Sequence, residues 1–197
     1  VQGFLKIPFQ AKTLGADLIS VSSHKIHGPK GAGALYISPK LKSFPALILG
    51  GGQEGGYRSG TEATPAIFGF AAAAEAGRQT FRQDIQREAE LLHSLCEKLS
   101  ALPGVKLNGA HEAPHILNVA IPGLPTQNSI NLLQDRGICV SAGSACAKGH
   151  RSHVLSAMGI DGETIDASFR ISLSRETTQE DADLLAQAVE EALLPRI

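Results

Sequence analysis

The chain has 197 residues, with 18 Lys plus Arg against 19 Asp plus Glu for a formal charge of −1. That length suits one domain or one and a half with a sizeable core, and the near-neutral balance gives no electrostatic pull toward nucleic acid. At 43% hydrophobic and 19% charged the chain reads as globular rather than disordered, and no apolar run approaches the ~20 residues that span a bilayer. Three cysteines cannot complete a disulfide framework, so a reducing, cytoplasmic setting is expected. The twenty-one glycines exceed the usual ~7%, and nine of them fall between Gly28 and Gly60.

Val1-Gln2-Gly3 offers neither an initiator Met nor a signal peptide, so the first residues read as the interior of something longer. Ala16–Ser23 (ADLISVSS) is a β-branched apolar run that predicts a buried strand. Turn formers from His24 to Gly31 interrupt it, and Ala32–Ser38 (AGALYIS) predicts a second strand, making a hairpin or an adjacent pair that carries a functional loop. Ala46–Leu49 is apolar. Gly50–Thr61 (GGGQEGGYRSGT) reads as a long flexible loop in which Arg58 and Thr61 suggest a ligand clamp.

Pro65 suits the first turn of a helix, and Ala66–Ala76 is helical by composition. Residues 78–101 continue it as an amphipathic helix with Ile85, Leu91, Leu92, Leu95 and Leu99 on its apolar stripe, stopped by Leu102-Pro103-Gly104. Short strands and helices then alternate. Strands are expected at Val105–Leu107, Ile116–Ile121, Ile138–Ser141 and Ser168–Ser172. Helices are expected at Ser129–Arg136, Ser152–Met158 and about Gln179–Leu193, the last with a capping box in Thr177-Thr178-Gln179-Glu180. The change of character near residue 77 divides the chain into a Gly-rich part, 1–77, and an α/β part, 78–197.

Three places could carry chemistry. Lys25 follows a strand beside His24, under glycine-rich backbone; desolvation and neighbouring positive charge would lower its pKa and favour Schiff-base formation. Read blandly, it is a lysine in a surface loop. Cys146 lies among small residues (Ser141-Ala142-Gly143-Ser144-Ala145-Cys146), with Lys148, His150 and Arg151 to favour its thiolate; the alternative is an incidental free thiol. Cys96, among helical leucines, and Cys139, inside an expected strand, fit that alternative better. Arg170, between Ser168 and Ser172 on one face of a strand, suits bidentate capture of a carboxylate, or is a solvated edge charge. The cysteines lack paired C-x-x-C spacing, so no metal site is expected. Gly50-Gly51-Gly52 lacks the strand–helix context of a nucleotide fingerprint.

Taken in order, Ser22-Ser23-His24-Lys25-Ile26-His27-Gly28-Pro29-Lys30-Gly31, Arg58-Ser59-Gly60-Thr61, Ser141–Cys146 and Phe169-Arg170-Ile171-Ser172 resemble the cysteine desulfurases. These are pyridoxal-phosphate enzymes of the class V aminotransferase group, fold type I. The cysteine segment is similar to that of members serving nitrogenase and general iron–sulfur assembly.

The resemblance implies an α/β fold: residues 1–77 as the C-terminal part of the cofactor-binding large domain, and 78–197 as a small α/β domain with the cysteine loop. It implies pyridoxal 5'-phosphate bound through Lys25, which also moves the substrate Cα proton. Ser22 and His24 would hold the phosphate and Gln2 the phenolic oxygen, while Thr61 would reach the cofactor of the other subunit in a homodimer. Arg170, with Asn118 beside it, would grip the carboxylate of L-cysteine. Cys146 would take the sulfur, leaving L-alanine and a persulfide for a sulfur acceptor or iron–sulfur scaffold protein.

The family's D-A-x-Q segment matches only at Val1-Gln2, so its Asp, the ring-stacking histidine and the phosphate-binding turn would precede residue 1. The chain therefore looks like the C-terminal half of such an enzyme. The stretch from Cys146 to Ser152-His153-Val154-Leu155 is short for this group. Two other readings stand beside this one: a class V aminotransferase or lyase without sulfur chemistry, and a cofactor-free fragment or scaffold that keeps only an acceptor-binding surface.

Overall fold

The computed structural model describes residues 1–143 and 151–193, mixed helix and sheet as expected. It divides into two compact units, Val1–Phe81 and Arg82–Ile197. No helix among the described residues is long and apolar enough to cross a membrane.

In the first unit, β1 (Leu18–Ser22) pairs antiparallel with β2 (Gly33–Ile37), Leu18 opposite Ile37 and Ser22 opposite Gly33. The strands join through a 3₁₀ turn, Ser23–Ile26, closed by the Gly28 N–H on the Ser23 carbonyl. This is the expected hairpin, but not a buried one: Leu18 and Leu35 are both exposed, because a two-stranded ribbon leaves much of its surface open to water.

The long helix α1 (Thr64–Ser100) begins in this unit. Gly69, Ala73 and Gly77 recur every four residues and so share one face. On that face a Cβ at Gly69 would stand 2.9 Å from Pro29, one at Gly28 would stand 3.2 Å from Ala73, and one at Gly77 would stand 3.2 Å from Leu5. The small residues let the backbone after the 3₁₀ turn lie close against the helix. Phe4 packs edge-on against Phe70, with centroids 6.3 Å apart. The Gly-rich segment expected as a flexible loop is held at its base by a bridge between Ile48 and Arg58 and by the Gly60 N–H on Gln53 Oε1.

The second unit is a three-stranded antiparallel sheet, β3 (Lys106–Asn108), β4 (Ile116–Ala120) and β5 (Ser168–Ser172), with β4 central. Alternation sends Leu117, Val119, Phe169 and Ile171 to one face, where they form a core with Leu91, Leu92, Leu95 and Leu99 of α1. Leu133 of α2 (Thr126–Gln134) and Leu185 and Val189 of α5 (Gln179–Leu193) complete it. Two short helices, α3 (His153–Ala157) and α4 (Gly162–Asp166), precede β5.

Four local expectations are corrected. Ile138–Ser141 is not a strand. The Ile138 N–H turns back to the Leu133 carbonyl, and only Ser141 pairs with β5, through Arg170. Cys139 is consequently exposed rather than enclosed in a sheet. Helix α2 starts at Thr126, three residues earlier than expected; the Thr126 hydroxyl meets the carbonyls of Asp166 and Ser168. The capping box before α5 is Thr178 with Asp181, where each side chain accepts the other's N–H. Helix α4 was not anticipated at all. It is one turn, capped by Asp161 Oδ1 on the Thr164 N–H (2.8 Å) and too short to show periodicity.

Candidate active site

Two groups of residues emerge, one in each unit. In the first, β1 delivers Ser22, and the 3₁₀ turn then presents His24 exposed and Lys25 half-buried. The turn ends at His27, a non-glycine residue in the left-handed region (φ 66°, ψ 17°), where histidine, like Asn and Asp, is found more often than most side chains. None of the Ser22, His24 and Lys25 side chains forms a hydrogen bond or ion pair among the described residues. Three polar groups, an amine, a hydroxyl and an imidazole, are therefore uncommitted on one short arc. Together they suit a ligand combining an electrophilic carbonyl with an anion.

Beside them in the turn Ser23, which the sequence did not single out, is fully buried, and its hydroxyl has no partner among the described residues. It lies against Gly28, where a Cβ would approach Ser23 Oγ to 2.1 Å. Gln2 and Thr61 are exposed in the same unit, and neither forms a hydrogen bond with the lysine turn among the described residues.

In the second unit Arg170 on β5 stands directly opposite Asn118 on β4. The pairing expected of these two as a carboxylate grip is thus present in register but not as a direct bond. Asn118 Oδ1 instead accepts from Asn108 Nδ2 (2.7 Å), which also reaches Ser168 Oγ. The half-buried Arg170 guanidinium donates through Nε to Ser172 Oγ (3.0 Å) and through Nη1 to the Gly143 carbonyl (3.3 Å). These acceptors are neutral, and a carboxylate is a stronger partner for a guanidinium than either.

Ser141 exchanges backbone hydrogen bonds with Arg170, so the structure brings the start of the Ser141–Cys146 segment to the arginine. Cys146 itself lies outside the described residues. Among the other thiols, burial pushes Cys96 up from its ordinary value, the behaviour of a packed rather than a reactive cysteine.

The class is defined first by family. The chain belongs to the aminotransferase class-V family, whose pattern matches residues 1–185. Within it, the chain is similar to cysteine desulfurases. It is 38% identical over 196 residues to the cysteine desulfurase of Nostoc sp., covering 97% of this chain and 49% of that protein. It is 40% identical over 189 residues to the cysteine desulfurase IscS of Rickettsia typhi, covering 92% and 45%. Among solved structures, a NifS-like protein from Rickettsia africae superposes with a TM-score of 0.86 at 36% identity, over 97% of this chain and 51% of that one. A second NifS-like protein gives the same TM-score at 37% identity, over 98% and 50%. The chain spans about half the length of the curated relatives it matches.

Proposed function

We propose that the chain carries the lysine, arginine and cysteine of a pyridoxal-phosphate-dependent cysteine desulfurase. The observation that carries this reading is the arc Ser22–His24–Lys25, three uncommitted donors at the end of β1, in a chain similar to cysteine desulfurases along nearly all of its length. The donor set fits the cofactor: a primary amine for the aldehyde, and a hydroxyl and an imidazole for the phosphate. When bound, pyridoxal phosphate supplies an electron sink for negative charge developing at the substrate Cα.

The remaining work falls to side chains of this chain. Lys25 would hold the cofactor through its amine and would move the substrate Cα proton. Ser22 and His24 donate to the phosphate, and Gln2 to the phenolic oxygen. Thr61 serves the phosphate site of the second subunit in a homodimer. Arg170, flanked by Asn118, orients the carboxylate of L-cysteine. Cys146 as thiolate accepts the sulfur, so that L-cysteine and a thiol become L-alanine and a Cys146 persulfide. That sulfur passes to an acceptor, an iron–sulfur scaffold or another sulfur carrier, in the reducing cytoplasm. On this reading the first unit is the end of the cofactor-binding domain, and the second is the small domain bearing the cysteine segment.

The test is to mix the purified chain with pyridoxal phosphate and follow the visible absorption band, then add L-cysteine and measure alanine. A band that is lost in Lys25→Ala, with alanine formation lost in Cys146→Ser while the band persists, supports the proposal. A band with full alanine output in Cys146→Ser points to class V chemistry without a cysteine persulfide. No band from this chain identifies a fragment that binds no cofactor by itself.

A further inference from the structure

One row of polar side chains crosses the sheet of the second unit. Asn108 on β3 stands opposite Asn118 on β4, and Asn118 stands opposite Arg170 on β5. Directly opposed residues have Cβ atoms about 5 Å apart, so the row runs amide, amide, guanidinium. Their strand neighbours Leu107, Leu117, Val119, Phe169 and Ile171 alternate to the core, and the three row members are half-buried on the other face.

The hydrogens along this row follow from one fixed end. Asp161 holds Thr164, accepting from both its N–H and its hydroxyl at 2.8 Å. The Thr164 carbonyl can only accept, and it takes the hydroxyl proton of buried Ser168 at 2.6 Å. A serine has one such proton, so Ser168 Oγ faces Asn108 with lone pairs alone. Asn108 must therefore present Nδ2, which reaches Ser168 Oγ at 3.1 Å and Asn118 Oδ1 at 2.7 Å.

Asn118 in turn is bound to present its oxygen to Asn108. The two branches of a planar amide diverge, so Asn118 Nδ2 is turned to the β5 side, where Arg170 stands. That Nδ2 forms no hydrogen bond among the described residues. Arg170 is engaged through Nε and Nη1, which leaves Nη2 beside it as a second donor without a partner among them.

We infer that Asn108 is a positioning residue for the carboxylate grip: the chain Thr164–Ser168–Asn108 locks the Asn118 amide with its donors toward Arg170, so that the row ends in donors only. Such an end suits an ionised carboxylate, which only accepts, and disfavours a carboxamide, whose own NH2 would meet one of the donors. The inference rests on the reading of Arg170 and Asn118 as the residues that take the carboxylate of L-cysteine.

The test uses the purified full chain and reads the amide directly, without cofactor. In the unliganded chain, proton NOEs from the Asn118 Nδ2 hydrogens should be stronger to the Arg170 side chain than to the Asn108 amide. Propionate and propionamide then serve as probes, with Kd taken from the shift of the Arg170 Nε–H resonance at constant ionic strength. Propionamide is expected to bind about tenfold more weakly than propionate. Asn108→Ala frees the amide to take either orientation and should raise the Kd for propionate about twofold, because a competent state populated half of the time halves the affinity. Asn108→Asp can only accept, so the Asn118 hydrogens should turn toward it, reversing the NOE pattern and raising the Kd about tenfold. In an Asn118→Ala background the same substitution should cost no more than about twofold, the reach of a screened charge.

Asn118 hydrogens that face Asn108 in the unliganded chain overturn the inference. So does a penalty from Asn108→Asp that persists undiminished in Asn118→Ala, because the charge at 108 would then act without the amide. No response to propionate, with the amide oriented as expected, overturns the selectivity together with the reading of Arg170 as a carboxylate grip. Full alanine output from Cys146→Ser would instead refute the desulfurase reading and leave the resonance measurements intact.

Discussion

Replacing Gly28 with alanine forces a methyl group into the floor of the lysine turn. The new Cβ would lie 2.1 Å from Ser23 Oγ and 3.2 Å from both the Ser23 carbonyl oxygen and the Ala73 Cβ. The first distance is far inside contact and the other two are only tight, so nearly all the strain comes from one hydroxyl. Overpacking of this kind costs about 1–3 kcal/mol. The Ser23 hydroxyl is itself buried without a partner among the described residues, a situation that costs about 1–3 kcal/mol in its own right.

Ser23→Ala is therefore expected to be neutral or stabilising by about 1 kcal/mol. The double variant Ser23→Ala/Gly28→Ala should recover most of what Gly28→Ala loses, a coupling of about 1–2 kcal/mol. The assay is urea unfolding followed by tyrosine fluorescence. The sequence has no Trp and two Tyr, Tyr36 and Tyr57, both in the first unit, so the signal reports that unit alone. With a slope of about 1 kcal/mol per molar urea, Gly28→Ala should lower the midpoint by about 1–3 M. An unchanged midpoint in Gly28→Ala, or a double variant no better than the single, would refute the packing argument and with it the account of how Lys25 is seated.

Two further outcomes concern the second unit. Phe169 is fully buried opposite Val119, so Phe169→Ala should cost about 3–5 kcal/mol, read as an early transition in far-UV circular dichroism under urea. Hydrogen bonds hold several carboxyls below their ordinary range: Asp161 from the Thr164 N–H, Asp181 from the Thr178 N–H, Asp166 from Arg151 and Asp183 from Lys98. Their folded values lie below the unfolded value of about 3.9, so the stability they contribute is complete above that pH and lost as pH falls through the lowered values. Thermal melting should be level from neutrality to about pH 5 and fall below about pH 4, with a shallower fall in Asp181→Asn.

Where the sequence was legible, the cause was local. The β-branched run around Ile19 and Val21, the turn formers from His24 to Gly31 and the apolar spacing of Leu91, Leu95 and Leu99 each announce their element from neighbouring residues. What escaped reading depends on partners far along the chain. Gly28 owes its identity to Ser23 and to Ala73, 45 positions away. Ile138 and Val140 look like a strand, yet the Ile138 N–H is claimed by the Leu133 carbonyl at the end of α2, and Cys139 lies exposed. Asp166 is an unremarkable surface carboxylate until Arg151 is seen over Gly162. The candidate lysine, arginine and cysteine were found through motif order rather than spacing, and the Gly143 carbonyl on the arginine came only with coordinates.

The β1–β2 ribbon has a practical consequence. Among the described residues the ribbon has two strands, so both are edges and each offers main-chain donors and acceptors along its outer side. Close by in sequence, Leu47 and Leu49 are 93% and 84% exposed and Phe68 is 75% exposed. Open edges together with bare apolar side chains are what natural sheets usually blunt with charge, proline or a covering element. Handled in isolation at high concentration, this polypeptide is set to add strands to its neighbours. Its solubility will be governed by the first unit, Val1–Phe81, whereas the second unit keeps its large apolar side chains largely indoors.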